Sequence, residues 1–120
     1  MTRFLILALG LISAAASANE AGFPSIRYKG GVLVATPAPD HKAAQPSIEI
    51  LETDECSAST ASKTSLRVNG KCEFLRAKFS YDHQEPKSGK ALRTLVGFTF
   101  SSQGLGHSLM VSGPFETTRN

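Results

Sequence analysis

Apolar and polar residues alternate along much of this chain, which is the pattern of half-buried β-strands. The clearest alternation runs through residues 75–81 and 92–100, where the apolar residues that share a face are Leu75, Ala77, Phe79 and Tyr81, and then Leu92, Val96, Phe98 and Phe100. No window of about twelve residues after the first 18 shows the 3.6-residue period of an amphipathic helix. The sequence therefore predicts an all-β fold, either a small antiparallel β-sandwich or a partly open barrel of about six strands.

Glycine and proline place the shorter strands and their connections. Residues 26–34 are predicted to form one strand bent at Gly30-Gly31 or two short strands, and residues 47–53 another strand. Three prolines mark residues 36–46 as an exposed connection, because proline cannot donate to a β-ladder. Further predictions are loops at residues 56–65 and 82–90, a last short strand at 107–112 and a frayed polar tail at 117–120.

The dipeptide Asn69-Gly70 separates two strand-like runs and is a strong hairpin signal. A two-residue turn places Val68 opposite Lys71, whereas a three-residue turn places Val68 opposite Cys72 and keeps apolar residues on one face. The turn chemistry favours the first register, and the segregation of faces favours the second. We expect a bulge at or just after this turn.

The first 18 residues have the features of a secretory signal peptide. Arg3 precedes an apolar run at residues 4–12, and a stretch of small residues ends in Ala16-Ser17-Ala18. The apolar run is shorter than the roughly 20 residues that a membrane-spanning helix needs. No later segment is apolar enough over that length to be predicted as a membrane-spanning helix. We expect cleavage after residue 18, which leaves residues 19–120 as a single β domain with frayed ends that is secreted or periplasmic.

Cys56 and Cys72 are the only cysteines in the sequence. In an oxidising compartment two lone cysteines usually pair, and closing a loop of about 15 residues adds roughly 3 kcal/mol of stability in the chain-entropy model. Neither cysteine lies in a C-x-x-C motif or beside a histidine, which argues against a metal or redox role. The sequence predicts a structural Cys56–Cys72 disulfide.

The candidate metal ligands are the three histidines, His41, His83 and His107. The first two follow an aspartate, and both fall in predicted loops. A metal site needs three or four ligands that converge, so the simpler interpretation is that these are solvated loop residues. No G-x-S-x-G, H-E-x-x-H, P-loop or dinucleotide motif is present. We therefore expect neither enzymatic activity nor a cofactor.

Acidic and basic residues are separated along the chain. Residues 40–55 hold five acidic residues and one lysine, whereas residues 63–93 hold eight basic and three acidic residues. In one interpretation neighbouring strands complement each other, with Glu49 or Glu52 facing a basic residue, Arg76 or Lys78. In the other, a basic face binds an acidic partner. The candidates for that face are Lys63, Arg67, Arg76, Lys78, Lys87 and Lys90.

These features favour a small, exported, non-catalytic binding protein. An inhibitor or immunity-type protein would fit, with another protein or an anionic envelope component as its partner. The net charge of +3 is too small to indicate nucleic-acid binding. The alternatives are a metal-handling protein or small enzyme that uses the loop histidines, and a structural subunit that adds a strand to a partner.

Overall fold

The computed structural model describes residues 22–54, 58–68, 72–103 and 106–118. These residues form two antiparallel sheets of four strands each and contain no helix. The all-β, sandwich-type architecture is confirmed, and the described residues form eight strands where the sequence predicted roughly six.

Each sheet takes strands from both halves of the chain. The shorter strands are β1 (Ser25–Lys29), β2 (Val32–Thr36), β4 (Ala58–Ser62) and β5 (Ser65–Val68). They form what we call the short-strand sheet, in the order β1-β2-β5-β4. The longer strands are β3 (Ala44–Thr53), β6 (Leu75–Gln84), β7 (Ala91–Gln103) and β8 (Gly106–Thr118). They form the long-strand sheet, in the order β3-β6-β7-β8.

The core lies between the two sheets and takes alternate residues from both. Leu33 and Leu66 of the short-strand sheet and Phe79 and Phe98 of the long-strand sheet are each at most 2% exposed. Burying one such side chain stabilises the fold by about 1.5–3 kcal/mol. The inward face predicted for residues 75–81 is confirmed, since all four of its apolar residues are completely buried.

The hairpin predicted at residues 69–70 is wrong. Strand β5 pairs with β2 on one side and with β4 on the other, so that Leu66 lies opposite both Leu33 and Thr60. Strand β6 belongs to the other sheet. Because both edges of β5 already carry a ladder, β6 has no edge of β5 to pair with. The turn residues themselves lie outside the described part of the chain.

Two predicted loops contain strands. Within residues 56–65, Ala58–Ser62 forms β4 and pairs with β5. Strand β6 continues to Gln84, so that Asp82 and His83 are strand residues and not loop residues. The strand fixes the direction in which each of these side chains points.

The first two strands settle one alternative that the sequence left open. Residues 26–34 form two strands that pair as a hairpin, not one bent strand. Gly30 and Gly31 have φ angles of 61° and 83°. A two-residue turn with positive φ at both positions matches the twist of the flanking strands, and glycine adopts it without steric cost.

The last strand continues through residues 113–114 and ends at Thr118, instead of ending before them. A register shift interrupts its pairing with β7 near the middle. Before the shift Leu109 faces the core, and after it Glu116 lies opposite the inward-facing Thr94. An extra residue in one strand reverses the alternation. This bulge therefore turns Glu116 inward.

Two predictions concern residues that are not described. Residues 1–21, which include the predicted signal peptide, and Cys56 of the predicted disulfide lie outside the described residues, so the signal peptide and the disulfide stay predictions. Its partner Cys72 is completely buried. Among the described residues, no helix has the length and apolar character needed to cross a membrane.

Candidate functional site

Polar side chains meet on the inner face of the long-strand sheet, at one of its ends. Tyr81 and His83 occupy alternate inward positions on β6. Thr94 of β7 lies between Tyr81 and Glu116 of β8 in the ladder. His41 comes from residues 37–43, the connection between β2 and β3, which we call the strap. These five residues are the polar cluster.

His83 lies at the centre of the polar cluster, and its side chain is only 2% exposed. Its Nε2 atom is 2.7 Å from Oγ1 of Thr94 and 3.3 Å from Oε2 of Glu116. Its Nδ1 atom is buried and has no hydrogen-bond partner among the described residues. An unpaired buried polar atom costs about 1–3 kcal/mol. Fold stability alone therefore does not explain a histidine at this position.

Thr94 connects His83 to Glu116. The Thr94 hydroxyl donates to Oε2 of Glu116 at 3.3 Å. Oγ1 of Thr94 can then accept the Nε2–H of a neutral His83 ring. The Nδ1 atom of His83 is left with a free lone pair. Thr94 is 1% exposed, so water does not compete for this hydroxyl.

His41 stacks on His83, with ring centroids 3.8 Å apart and ring planes 12° apart. Its Nδ1 atom lies 2.8 Å from the hydroxyl of Tyr81, and the N–H of Ala38 donates to that hydroxyl at 3.2 Å. Because the tyrosine oxygen accepts from Ala38, its proton is available to Nδ1 of a neutral His41 ring. Both hydrogen bonds attach the strap to β6.

Burial keeps two of these groups uncharged. It lowers the pKa of His41 below its ordinary value of 6.5, and the neighbouring His83 lowers it further. Asp40 and Glu116 act in the opposite direction but more weakly. Burial likewise raises the pKa of Tyr81 above 10.0. At neutral pH His41 is thus a neutral imidazole, the form that binds a cation.

The polar cluster contains a set of metal-ligand groups. One nitrogen from each of His41 and His83 and one oxygen of Glu116 lie within 4.8 Å of one another. Because Nε2 of His83 is hydrogen-bonded to Thr94, the nitrogen of His83 that is free to bind an ion is Nδ1. Imidazole nitrogens suit Zn²⁺ and Cu²⁺, whereas Mg²⁺ and Ca²⁺ take oxygen ligands.

The structure brings together two of the three candidate histidines, but not the third. His107 pairs with Ser102 at the opposite end of β7 from Thr94. Thr94 and Ser102 are eight residues apart along β7, a distance of roughly 26 Å. The ring of His107 instead packs against Tyr28, with centroids 4.6 Å apart.

Two of the basic candidates lie together on the outer face of the long-strand sheet. Arg76 lies 3.6 Å from Glu52, and Lys78 lies 3.7 Å from Glu49. Each pair is also opposed across β3 and β6. The predicted pairing of these acidic and basic residues across strands is confirmed.

The other basic candidates lie elsewhere. Arg67 is on β5 of the short-strand sheet, whose outer face points away from that of the long-strand sheet, and Lys63 is in the turn before it. Lys87 and Lys90 lie in the turn at residues 85–90. The structure therefore places Arg76 and Lys78 side by side but does not bring them onto one face with Lys63 and Arg67.

Sequence reasoning missed most of the polar cluster. The alternation at residues 75–81, continued by one step, places His83 inward, but Pro86 and Gly89 predict a loop that begins at residue 82. Thr94 is the one polar residue in the inward series of residues 92–100, and a polar residue on a core face is a usable signal. Glu116 gave no such signal, because its direction depends on the bulge in β8.

Comparison with models of known protein families, with curated proteins and with solved structures finds no match to this chain.

Proposed function

We propose that this protein binds one divalent transition-metal ion, Zn²⁺ or Cu²⁺, through His41, His83 and Glu116. It is exported and handles the metal in the periplasm or outside the cell, without catalysing a reaction. The observation that carries the proposal is the convergence of these three ligand groups within 4.8 Å. The unpartnered Nδ1 atom of the buried His83 supports it, since the described residues leave that nitrogen unused.

The donor set and its surroundings fit an exchangeable ion. Three protein ligands leave a fourth tetrahedral position open to water or to a ligand from a partner. His83 and Glu116 are held on strands of one sheet, where Thr94 bridges them. Strand residues position ligands more accurately than loop residues do. The side chain of Glu116 is 49% exposed, which gives the ion a route to solvent.

The test is a calorimetric titration of the purified exported protein with Zn²⁺ and with Cu²⁺, after a chelator has removed any metal. We expect one ion per chain. Glu116→Gln keeps the shape of the side chain but removes its charge, and it should weaken binding about tenfold or more. His41→Asn should weaken binding by a similar factor.

His107→Gln is the matched control, because it removes a histidine of the same chain that lies far from the polar cluster. It should bind metal as the wild-type protein does. A wild-type protein that binds neither ion contradicts the proposal. Equal weakening by His107→Gln and Glu116→Gln would also contradict it, since binding would then be nonspecific.

The outer face of the long-strand sheet supports a second candidate, the inhibitor or immunity-type protein. Met110 and Phe115 of β8 are 73% and 57% exposed on this face. Exposed large apolar side chains that share a face are typical of protein-binding surfaces. The double variant Met110→Ser/Phe115→Ser should then lose a partner that the wild-type protein captures from an envelope extract. Retention of that partner would contradict this candidate.

A further inference from the structure

The stacked arrangement of His41 and His83 cannot hold an ion between both rings. A metal ion lies in the plane of each imidazole that binds it, about 2.0–2.1 Å from the nitrogen. The two ring planes are nearly parallel, and their centroids are 3.8 Å apart. An ion in the plane of one ring is therefore on the order of 3.5 Å from the plane of the other, well beyond the bond length. One ring must leave the stack.

The ring that moves is His41. His83 is on a core strand, its side chain is 2% exposed, and Thr94 binds its Nε2 atom. His41 belongs to the strap, which lies outside both sheets. The strap is held over the cluster by the Tyr81 hydroxyl, which binds both Ala38 and His41.

We infer, building on the proposed metal site, that the strap is a metal-controlled closure. Without metal, the stack and the Tyr81 hydroxyl hold residues 37–43 down. Metal uptake breaks the stack, turns His41 toward the ion and moves the strap, so that the presence of the ion changes the surface at this end of the protein. Tyr81 accordingly stabilises the closed, metal-free form and does not orient a ligand in the metal-bound form.

The Tyr81→Phe variant separates this closure from a preformed site. It removes the hydroxyl that holds the strap and leaves all three ligands in place. If the metal-free form is closed, the variant should bind Zn²⁺ roughly threefold to tenfold more tightly and associate faster, because a larger fraction of molecules is open. If the site is preformed and Tyr81 orients His41, the variant should bind roughly tenfold to a hundredfold more weakly. The measurement is a competition titration against a chromophoric Zn²⁺ indicator, with stopped-flow association rates.

Asp40→Ala gives a second variant that leaves all five residues of the polar cluster in place. Oδ1 of Asp40 accepts the N–H of Gly22 at 3.0 Å, which fixes the exposed side of the strap. Its loss should also speed Zn²⁺ association. This variant keeps the inference testable if Tyr81→Phe does not fold.

The outcomes separate the two proposals. Weaker binding by Tyr81→Phe, with a wild-type protein that binds one ion, overturns the closure and leaves the metal site standing. Wild-type binding with unchanged Ala38 and Tyr81 resonances in an NMR titration also overturns it, because the strap would not have moved. Absence of Zn²⁺ binding by the wild-type protein and by both variants overturns the metal site and the closure together.

Discussion

His41 lies face to face on His83, and the two rings come from different parts of the fold. The side chain of His83 is 2% exposed on a core strand, whereas His41 belongs to the connection between β2 and β3. The stack, with its centroids 3.8 Å apart, joins that connection to the core. A charge on His41 would face a second imidazole at contact distance, so the stack favours the neutral ring.

The stability of the metal-free protein should therefore depend on the protonation of His41. In the unfolded chain this histidine has a pKa near 6.5, and in the folded chain burial and His83 lower that pKa. As the pH falls through 6.5, the unfolded state takes up the proton first, so stability is lost below 6.5 until the folded ring titrates as well. Above that pH the stabilisation is fully present.

The comparison that isolates this effect is between the wild-type protein and His41→Asn. Denaturant unfolding in the presence of a chelator, at several pH values from 5 to 8, should show a steeper loss for the wild-type protein on the acidic side. His107→Asn should keep the steep loss. Parallel curves for the wild-type protein and His41→Asn would show that the folded protein does not perturb this histidine.

Gly113 should be required for the direction of Glu116. Its φ angle is +109°, and a methyl group there would lie 3.1 Å from the carbonyl oxygen of Leu95 and 3.1 Å from Cδ2 of Phe115. Gly113→Ala should cost on the order of 1–3 kcal/mol of stability through backbone strain. Because the bulge turns Glu116 inward, this variant should also weaken Zn²⁺ binding.

Gly30→Ala is the control for strain alone. Gly30 also has a positive φ, of +61°, but a methyl group there would have no neighbour within 4 Å, and it lies in the β1–β2 turn. This variant should lose stability and bind Zn²⁺ normally once the folded fraction is taken into account. Normal binding by folded Gly113→Ala would mean that Glu116 is not a ligand or that the bulge does not set its direction.

The sequence predicts the architecture through local alternation, but it does not predict which strands pair. The inward series at residues 75–81 is correct because period-two alternation depends only on the strand itself. The hairpin at residues 69–70 fails because pairing depends on which edges are free, and both edges of β5 are occupied by β2 and β4. Turn residues report local backbone preference and carry no information about a distant partner strand.

The candidate site shows the same division between local and distant information. His41 and His83 are candidates from residue type alone, and their convergence arises from the path of the strap across the sheet. Predicting that Glu116 points inward would have required knowing that a bulge shifts the alternation of β8 by one residue. A single shift of this kind moves every later side chain to the other face. Gly113-Pro114 is compatible with a bulge but also with the end of a strand, which is what the sequence predicts there.

The Cys56–Cys72 disulfide remains a prediction, and thiol labelling can test it. Cys72 is completely buried, and its carbonyl accepts the N–H of Ser102 at 2.7 Å, which fixes it against β7. We expect no free thiol when the exported protein is labelled under denaturing conditions. Replacing both cysteines with Ala should cost about 2–4 kcal/mol and leave the fold unchanged. Full labelling of both cysteines would rule out the bridge.

Reversing the charges of the two ion pairs on the outer face tests whether their basic residues stabilise the fold or bind an acidic partner. Arg76 and Glu52 are each more than half exposed, and the second pair, Lys78 with Glu49, is only somewhat more buried. Each exposed pair contributes at most about 1 kcal/mol. Reversing Arg76 and Lys78 to Glu places like charges opposite each other across β3 and β6, which should lower the free energy of unfolding by about 1–2 kcal/mol.

A control variant separates the effect of charge position from the effect of net charge on stability. Lys63→Glu/Lys87→Glu makes the same change in net charge at exposed turn positions and should leave stability within about 0.5 kcal/mol of the wild-type value. Adding Glu49→Lys and Glu52→Lys to the reversed pair should restore most of the lost stability, because the cross-strand attraction returns with opposite sign. High salt should reduce both the loss and the restoration. If the double reversal leaves stability unchanged, the pairs contribute nothing to the fold, and the basic residues of β6 become candidates for binding an acidic partner.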